Sequence, residues 1–336
     1  MRQAFTFDDV ALVPQFNNIP SRTEPNLETW LTKNRKVQIP LLASNMDTVI
    51  GEELADLLIS HGSLPIFHRF TDQDTQAAWV KKYQDKTFIS CGIQRIEETR
   101  KLLDMGAAGV CIDVAHGHSD KMFHHIEALK KSHPDCEIIA GNACTAMAYH
   151  DLVNAGADAV KVGVGPGAAC TTRIVTGFGM PQFSAVYECA QVAEKLRVPL
   201  IADGGIRNSR DVVLALAAGA SSVMIGKLFA VTTDSAAPKR KSKEGKGLEA
   251  KYRGQASSDF QTEFYGGLKA KTVAEGIDFW LPVEKTSEEL ITQLLGGVRS
   301  GMTYGGARNI KELQRKAEFV QVTSSYIRES HPRPTH

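Results

Sequence analysis

The chain has 336 residues, with 39 Lys and Arg against 38 Asp and Glu and a formal net charge of +1. That balance excludes the basic excess of a nucleic-acid or membrane-surface protein, and no apolar run reaches the roughly 20 residues of a spanning helix. The six cysteines (91, 111, 136, 144, 170 and 189) show no CxxC pair or zinc spacing, and "MRQAFTFDDVALVPQF" carries acids where a signal peptide is apolar. A cytoplasmic, reducing compartment is expected.

In chain order, eight short apolar, β-branched runs stand out. They are "IPLLASNM" from Ile39, "LPIFHRF" from Leu64, "TFISCGI" from Thr87, "GVCIDVAHG" from Gly109, "CEIIAGN" from Cys136, "AVKVGVGPG" from Ala159, "PLIADGG" from Pro199 and "SSVMIGKLF" from Ser221. Segments with helical periodicity separate them, and "RIEETRKLLDMGA", "TAMAYHDLVNAGA" and "SRDVVLALAAGA" each end on Gly-Ala, a helix stop. Continuous apolar strands alternating with amphipathic helices read as parallel strands buried on both faces. Eight such units at roughly 25-residue spacing fit one closed (β/α)8 barrel over residues 1–336, with a doubly wound open sheet as the alternative. The spacing breaks twice. From Ala159 to Pro199, the starts of strands six and seven, is 40 residues, and residues 232–286 form a long polar excursion after strand eight. In such a barrel the loops after the strands build the active site, so both insertions belong to that face.

The predicted strand ends are polar: Asn45 and Asp47, His68 and Arg69, Asp113 and His116, Asn142, Asp203. Each alone also reads as a helix cap or a satisfied buried group; together they converge on one mouth. Asp203 in "ADGGIR" sets a carboxylate beside two glycine amides at the start of a helix, which suits a ribose diol next to a phosphate. "IGKLFA" adds Gly226 and Lys227 after strand eight, where barrels often seat phosphate. "GVGPGAACTTRIVTGFG" wraps Cys170 in glycines that let the backbone bend tightly. A thiolate there is a candidate nucleophile, and the other five cysteines read as small apolar filler. The basic run "PKRKSKEGKG" from Pro238 reads as a solvated flap, with attraction of nucleotide anions as the sharper alternative.

These residues resemble the IMP dehydrogenase/GMP reductase family over nearly the whole chain. The resemblance rests on "FTFDDVALVP", "ASNMDTV", "GPGAACTTR", "TGFGMPQFSAV", "IADGGIR" and "LLGGVRSGMTYGGARNIKEL". It implies a homotetrameric barrel that attacks carbon 2 of a purine nucleotide with Cys170, Thr172 serving as its hydroxyl partner in proton transfer. It further implies that Asp203, Gly204 and Gly205 hold ribose and phosphate, that Gly226 and Lys227 complete the phosphate cup, and that Met46 lines the base pocket. Gly254, Gln255 and Gly276 are further substrate-binding candidates. Arg69, Asp113, Val114 and Ala115 would border the nicotinamide cofactor, and the carbonyls of Gly165, Gly167 and Cys170, with Arg173 beside them, resemble the family's potassium site.

The two branches of the family differ after the first covalent step. The dehydrogenase must activate water and brings in an Arg-Tyr pair on a flap; here Tyr265 follows Phe264, and Arg253 belongs to an earlier "YRG" turn. The reductase loses ammonia from GMP and uses NADPH, and Glu275 in "AEG" resembles its glutamate. Only 16 residues separate Phe70 from Thr87, too few for the regulatory domains that dehydrogenases usually insert there. The expected activity is therefore the NADPH-dependent reductive deamination of GMP. A dehydrogenase without the insertion, supported by the ending "FVQVTSSYIRESHP", and a non-catalytic nucleotide-binding barrel are the alternatives. Lys227 for a small residue, Gln255 for methionine and Ala168 for a hydroxyl residue depart from the family pattern.

Overall fold

A computed structural model describes residues 1–242, 245, 247–330 and 332. Each apolar run contains a strand: β1 Leu41–Ala43, β2 Ile66–Phe67, β3 Phe88–Cys91, β4 Gly109–Asp113, β5 Glu137–Ala143, β6 Ala159–Val162, β7 Leu200–Asp203 and β8 Ser222–Ile225. All pair in parallel in the order β1-β8-β7-β6-β5-β4-β3-β2. The first strand hydrogen-bonds to the last and no switch point occurs, so the sheet curls into a (β/α)8 barrel rather than a doubly wound sheet.

Helices α1 Glu52–Ser60, α2 Gln73–Tyr83, α3 Ile96–Asp104, α4 Asp120–Ser132, α5 Ala146–Asn154, α6 Gln182–Leu196, α7 Ser209–Ala217 and α8 Ser287–Tyr304 alternate with the strands. Asp72, Thr145, Asn208 and Thr286 cap α2, α5, α7 and α8 by accepting backbone N–H groups. Gly106 and Gly219, at φ +99° and +112°, end α3 and α7 in the left-handed conformation that glycine tolerates. No helix among the described residues is long and apolar enough to cross a membrane.

Side chains alternate along each strand between the barrel interior and the helices. Leu42, Ile66, Phe88, Cys111, Ile139, Ala159, Ile201 and Met224 form the inner cluster. Leu31 and Val37, from the hairpin of strands Thr29–Thr32 and Arg35–Val37, join it and close the N-terminal end. Two residues further along the same inward face stand Ser90, Asp113, Lys161 and Asp203. The interior thus changes from apolar to polar within one step of the pleat, at the carbonyl ends of the strands.

The excursion 232–286 is more ordered than its polar sequence implies. Strands Lys239–Lys241, Leu248–Arg253 and Asp278–Pro282 form an antiparallel sheet with Leu248–Arg253 in the centre, and the helix Ser258–Tyr265 packs within it. Of the basic run from Pro238, Lys243, Glu244 and Lys246 lie outside the described residues. Between Phe70 and Thr87 stand only α2 and the turn Gln84–Lys86. Near the C-terminus, strand Phe319–Gln321 pairs antiparallel with Val10–Leu12.

Candidate active site

The polar end of the barrel opens into a cleft of about 380 Å³. Met46, Arg69, Asp113, Val114, Ala115, Gly165, Gly167, Cys170, Thr172, Asp203, Gly204, Gly254, Gln255 and Glu275 line it. Gly205, Gly226, Lys227, Arg173 and Gly276 stand outside that lining. A depression of about 440 Å³ between α7, α8 and the N-terminal strand contains none of these residues. Its cations Arg210 and Lys316 are already spent on backbone carbonyls of Phe7, Val10 and Gly306. Among the described residues that depression therefore offers no free cation to a ligand.

After β6 the chain turns through Gly163 and Gly165, whose φ values of +155° and +86° need glycine. A Cβ at Gly165 would lie 2.6 Å from Arg173 Cγ, so the arginine packs inside the loop. There it donates to the Met180 carbonyl, and burial lowers its pKa below the usual guanidinium value. The Cys170 N–H donates to the Gly167 carbonyl at 3.0 Å. The returning excursion then lies alongside: Cys170 bridges Gly276 antiparallel, the Thr171 N–H donates to the Glu275 carbonyl at 3.0 Å, and the Ile277 N–H donates to the Ala169 carbonyl at 3.0 Å. This backbone pairing delivers Glu275 to the cysteine loop. Cys170 Sγ is 3.2 Å from Thr172 Oγ1, which donates to Glu275 Oε2 at 2.9 Å. The other thiols differ in kind. Burial pushes Cys91 up to about 12 and Cys136 up to about 11, and raises Cys111 and Cys189 further, so they stay protonated and inert.

The floor of the cleft is ionic. Lys161, from the middle of β6, reaches Asp113 Oδ1 at 2.9 Å and Asp203 Oδ2 at 2.8 Å. Asn142 Nδ2 donates to the same Asp203 oxygen at 2.9 Å. Burial alone would raise the Asp113 carboxyl, but the Lys161 ammonium outweighs it and holds the group below the ordinary carboxylate range. Asp203 is not beside a helix start, as its sequence setting implied. Gly204 and Gly205 form a turn at φ +88° and +81°, and α7 begins only at Ser209 under the Asn208 cap. The four-residue helix Lys227–Ala230 does start at Gly226. A Cβ at Gly226 would lie 2.6 Å from Tyr252 Oη, which places that hydroxyl over the expected phosphate cup.

Several strand-end groups are held by partners of their own, although Asn45 still lines the cleft. His68 is buried, its Nδ1 accepts the Phe70 N–H at 3.2 Å, and burial pushes it down to about 4: it is a neutral core histidine. Asn45 donates to Ser90 Oγ at 2.8 Å and its carbonyl accepts from Gln255 Nε2 at 3.0 Å. Asp47 pairs with Arg253, which also holds Glu263 and, at 2.8 Å, Asp259, beside the stacked rings of Phe260 and Phe264. Arg253 is thus fully engaged in latching the excursion to the loop after β1.

Two buried polar atoms beside the cleft, Arg69 Nε and Asn142 Oδ1, have no hydrogen-bond partner among the described residues. An orphaned donor and an orphaned acceptor next to Asp113 suit a polar, uncharged group such as a carboxamide with its ribose, so these residues fit a nicotinamide cofactor. For a monovalent cation the chain supplies the three carbonyls of its glycine loop, of which that of Gly167 is already hydrogen-bonded; this is part of the oxygen shell such an ion needs. Lys161 and Tyr252 were missed as site residues from sequence. A lysine inside the apolar run "AVKVGV" was the available signal for the first.

The profile described as the IMP dehydrogenase / GMP reductase domain matches residues 4–333. The chain is 35% identical to inosine-5'-monophosphate dehydrogenase of Borreliella burgdorferi, over 98% of this chain and 97% of that one. It is also 35% identical to the enzyme of that name from Cryptosporidium parvum, over 98% and 94%. Among solved structures, a cysteine-to-alanine variant of Trypanosoma brucei GMP reductase in complex with guanosine 5'-monophosphate superposes with a TM-score of 0.93 at 26% identity, covering 100% of this chain and 99% of that one. The chain belongs to the IMP dehydrogenase/GMP reductase family of oxidoreductases.

Proposed function

We propose that this protein is a GMP reductase, converting GMP, NADPH and two protons to IMP, ammonium and NADP⁺. The observation that carries the reading is the unbroken line from Cys170 Sγ through the Thr172 hydroxyl to the Glu275 carboxyl, 3.2 and 2.9 Å per step. Ammonia leaves carbon 2 only with a proton, and this line ends on a group that can supply one.

The residues then divide the work. Asp203 accepts the ribose hydroxyls, and the Gly226 amide with the Tyr252 hydroxyl faces the phosphate, while the Gly204 N–H is held by the Met224 carbonyl at 3.3 Å. The Cys170 thiolate adds to carbon 2 of the guanine, the carbon–nitrogen bond to the 2-amino group breaks, and Thr172, recharged by Glu275, protonates the departing nitrogen. The product is a thioimidate between Cys170 and the purine. Carbon 2 would then take a hydride, the chemistry a nicotinamide cofactor would supply when bound, and Cys170 would leave as the thiolate as the carbon–sulfur bond breaks. Arg69, Asn142, Asp113, Val114 and Ala115 would hold that cofactor against the purine.

A second reading, IMP dehydrogenase, is favoured by the names of the full-length relatives at 35% identity. It requires a base for water. The excursion offers Phe264 before Tyr265 rather than an Arg-Tyr pair, and Arg253 is held by three carboxylates. A non-catalytic barrel would have no use for the Cys170–Thr172–Glu275 line. A homotetramer is part of the proposal: Ile174 and Phe178, beside the cysteine loop, are 86% and 78% exposed and suit burial against another copy. The carbonyls of Gly165, Gly167 and Cys170 are proposed as part of a potassium site. Turnover of GMP with NADPH against IMP with NAD, followed by absorbance, separates the two enzymes.

A further inference from the structure

Lys161 joins the two halves of the cleft. Its side chain is 2% exposed and its ammonium lies 2.9 Å from Asp113 and 2.8 Å from Asp203. Beneath it the barrel interior is apolar, with Cys111, Ala159 and Ile201. We propose that Lys161 is a positioning residue that couples the halves: one ammonium, shared between the carboxylate that takes the nucleotide ribose and the carboxylate beside the nicotinamide, makes the affinity of each half depend on the state of the other. This rests on the ligand placement given under Proposed function.

The physical argument is one of shared donors. An ammonium has three N–H groups, and an ionised carboxylate about four acceptor positions. With both carboxylates ionised, Lys161 divides its donors and leaves Asp203 free acceptor capacity for two ribose hydroxyls. If Asp113 loses its charge, the ammonium is drawn to Asp203 alone and takes capacity the ribose needs. Coupling of this kind is reciprocal, so nucleotide on Asp203 pushes the ammonium toward Asp113. Without the cation, two mostly shielded carboxylates, 14% and 17% exposed, share one site and one of them binds a proton. The other groups facing the pair do not replace it. Asn45 and Asn142 are neutral, the thiols of Cys91 and Cys111 and the Tyr252 phenol are held protonated by burial, and Arg69 acts on Asp113 through its charge without a hydrogen bond to it.

The test is calorimetry of GMP and of IMP binding with no cofactor present. Asp113→Asn, a change on the cofactor side, should raise the nucleotide Kd about tenfold, within the 5- to 150-fold typical of site coupling. Lys161→Arg, which keeps a charged fork, should stay within about threefold of wild type. Lys161→Met should weaken binding at least about tenfold and exchange protons on binding between pH 6 and 8, read as a dependence of the heat on buffer ionisation. The phosphate's own titration is common to both proteins and cancels in the difference. Nucleotide affinity unchanged within twofold in Asp113→Asn overturns the coupling, and that variant decides alone if Lys161→Met does not fold. A Lys161→Met protein with wild-type Kd and proton exchange also overturns it. A wild type that binds no nucleotide overturns the site assignment itself and the coupling with it.

Discussion

The Thr172 hydroxyl donates to the Glu275 carboxylate at 2.9 Å across 103 positions of sequence. The contact exists because the returning excursion pairs, backbone to backbone, with the cysteine loop. Glu275→Gln keeps the shape and a hydrogen bond but cannot pass a proton. It should slow release of ammonia from GMP by about 10²- to 10⁴-fold, the usual worth of a general acid. Hydride exchange at carbon 2, followed by isotope transfer between labelled cofactor and IMP, should suffer less. Ammonia release at the wild-type rate would place the proton donor elsewhere.

Cys170→Ser should bind GMP nearly as wild type and lose turnover by several orders of magnitude, because a serine hydroxyl is almost wholly protonated near neutral pH. Activity within tenfold of wild type would remove the covalent step. Alkylation mapped by mass spectrometry offers a second readout. Iodoacetamide should reach Cys170 and be blocked by nucleotide, while the buried Cys91, Cys111 and Cys189 stay unmodified in the folded protein.

Asp203→Asn replaces the carboxylate that would accept two ribose hydroxyls. Each charge-assisted bond is worth about 1.5–3 kcal/mol, so loss of both predicts a nucleotide Kd raised roughly 10²- to 10⁴-fold. An unchanged Kd by calorimetry would mean that the ribose lies elsewhere and that Asp203 serves only to neutralise Lys161.

His68 gives a pH signature of the fold. Its folded pKa is about 4 against an ordinary 6.5, so the unfolded chain takes up the proton first and stability falls as pH drops from 6.5 toward 4. A shift of that size amounts to about 3 kcal/mol at most, at 1.36 kcal/mol per pKa unit. His68→Gln should flatten the loss in that window, measured as the urea midpoint against pH. A midpoint that falls as steeply in the variant would contradict the assignment.

The barrel was legible because strands buried on both faces read as unbroken apolar runs and several helices, such as α3, α5 and α7, stop at a glycine. Cys170 was legible from its glycine-wrapped loop, but Thr172 and Glu275 only through the resemblance, since their contact spans a loop and an excursion far apart in the chain. Lys161 was not: in a strand of four residues nothing in the spacing says which face a lysine takes. Nor was the Arg253–Asp47 latch, whose partners are 206 positions apart. Asp203 was placed at a helix start because a carboxylate before two glycines resembles one; the real cap, Asn208, lies five residues on.

The reductase assignment is tested most directly by the stoichiometry of one reaction: purified protein with GMP and NADPH, following cofactor oxidation and ammonia together. The account predicts equal amounts of ammonia and NADP⁺, with IMP as the product, and no XMP from IMP and NAD. Formation of XMP from IMP and NAD, with GMP left untouched by NADPH, would contradict it.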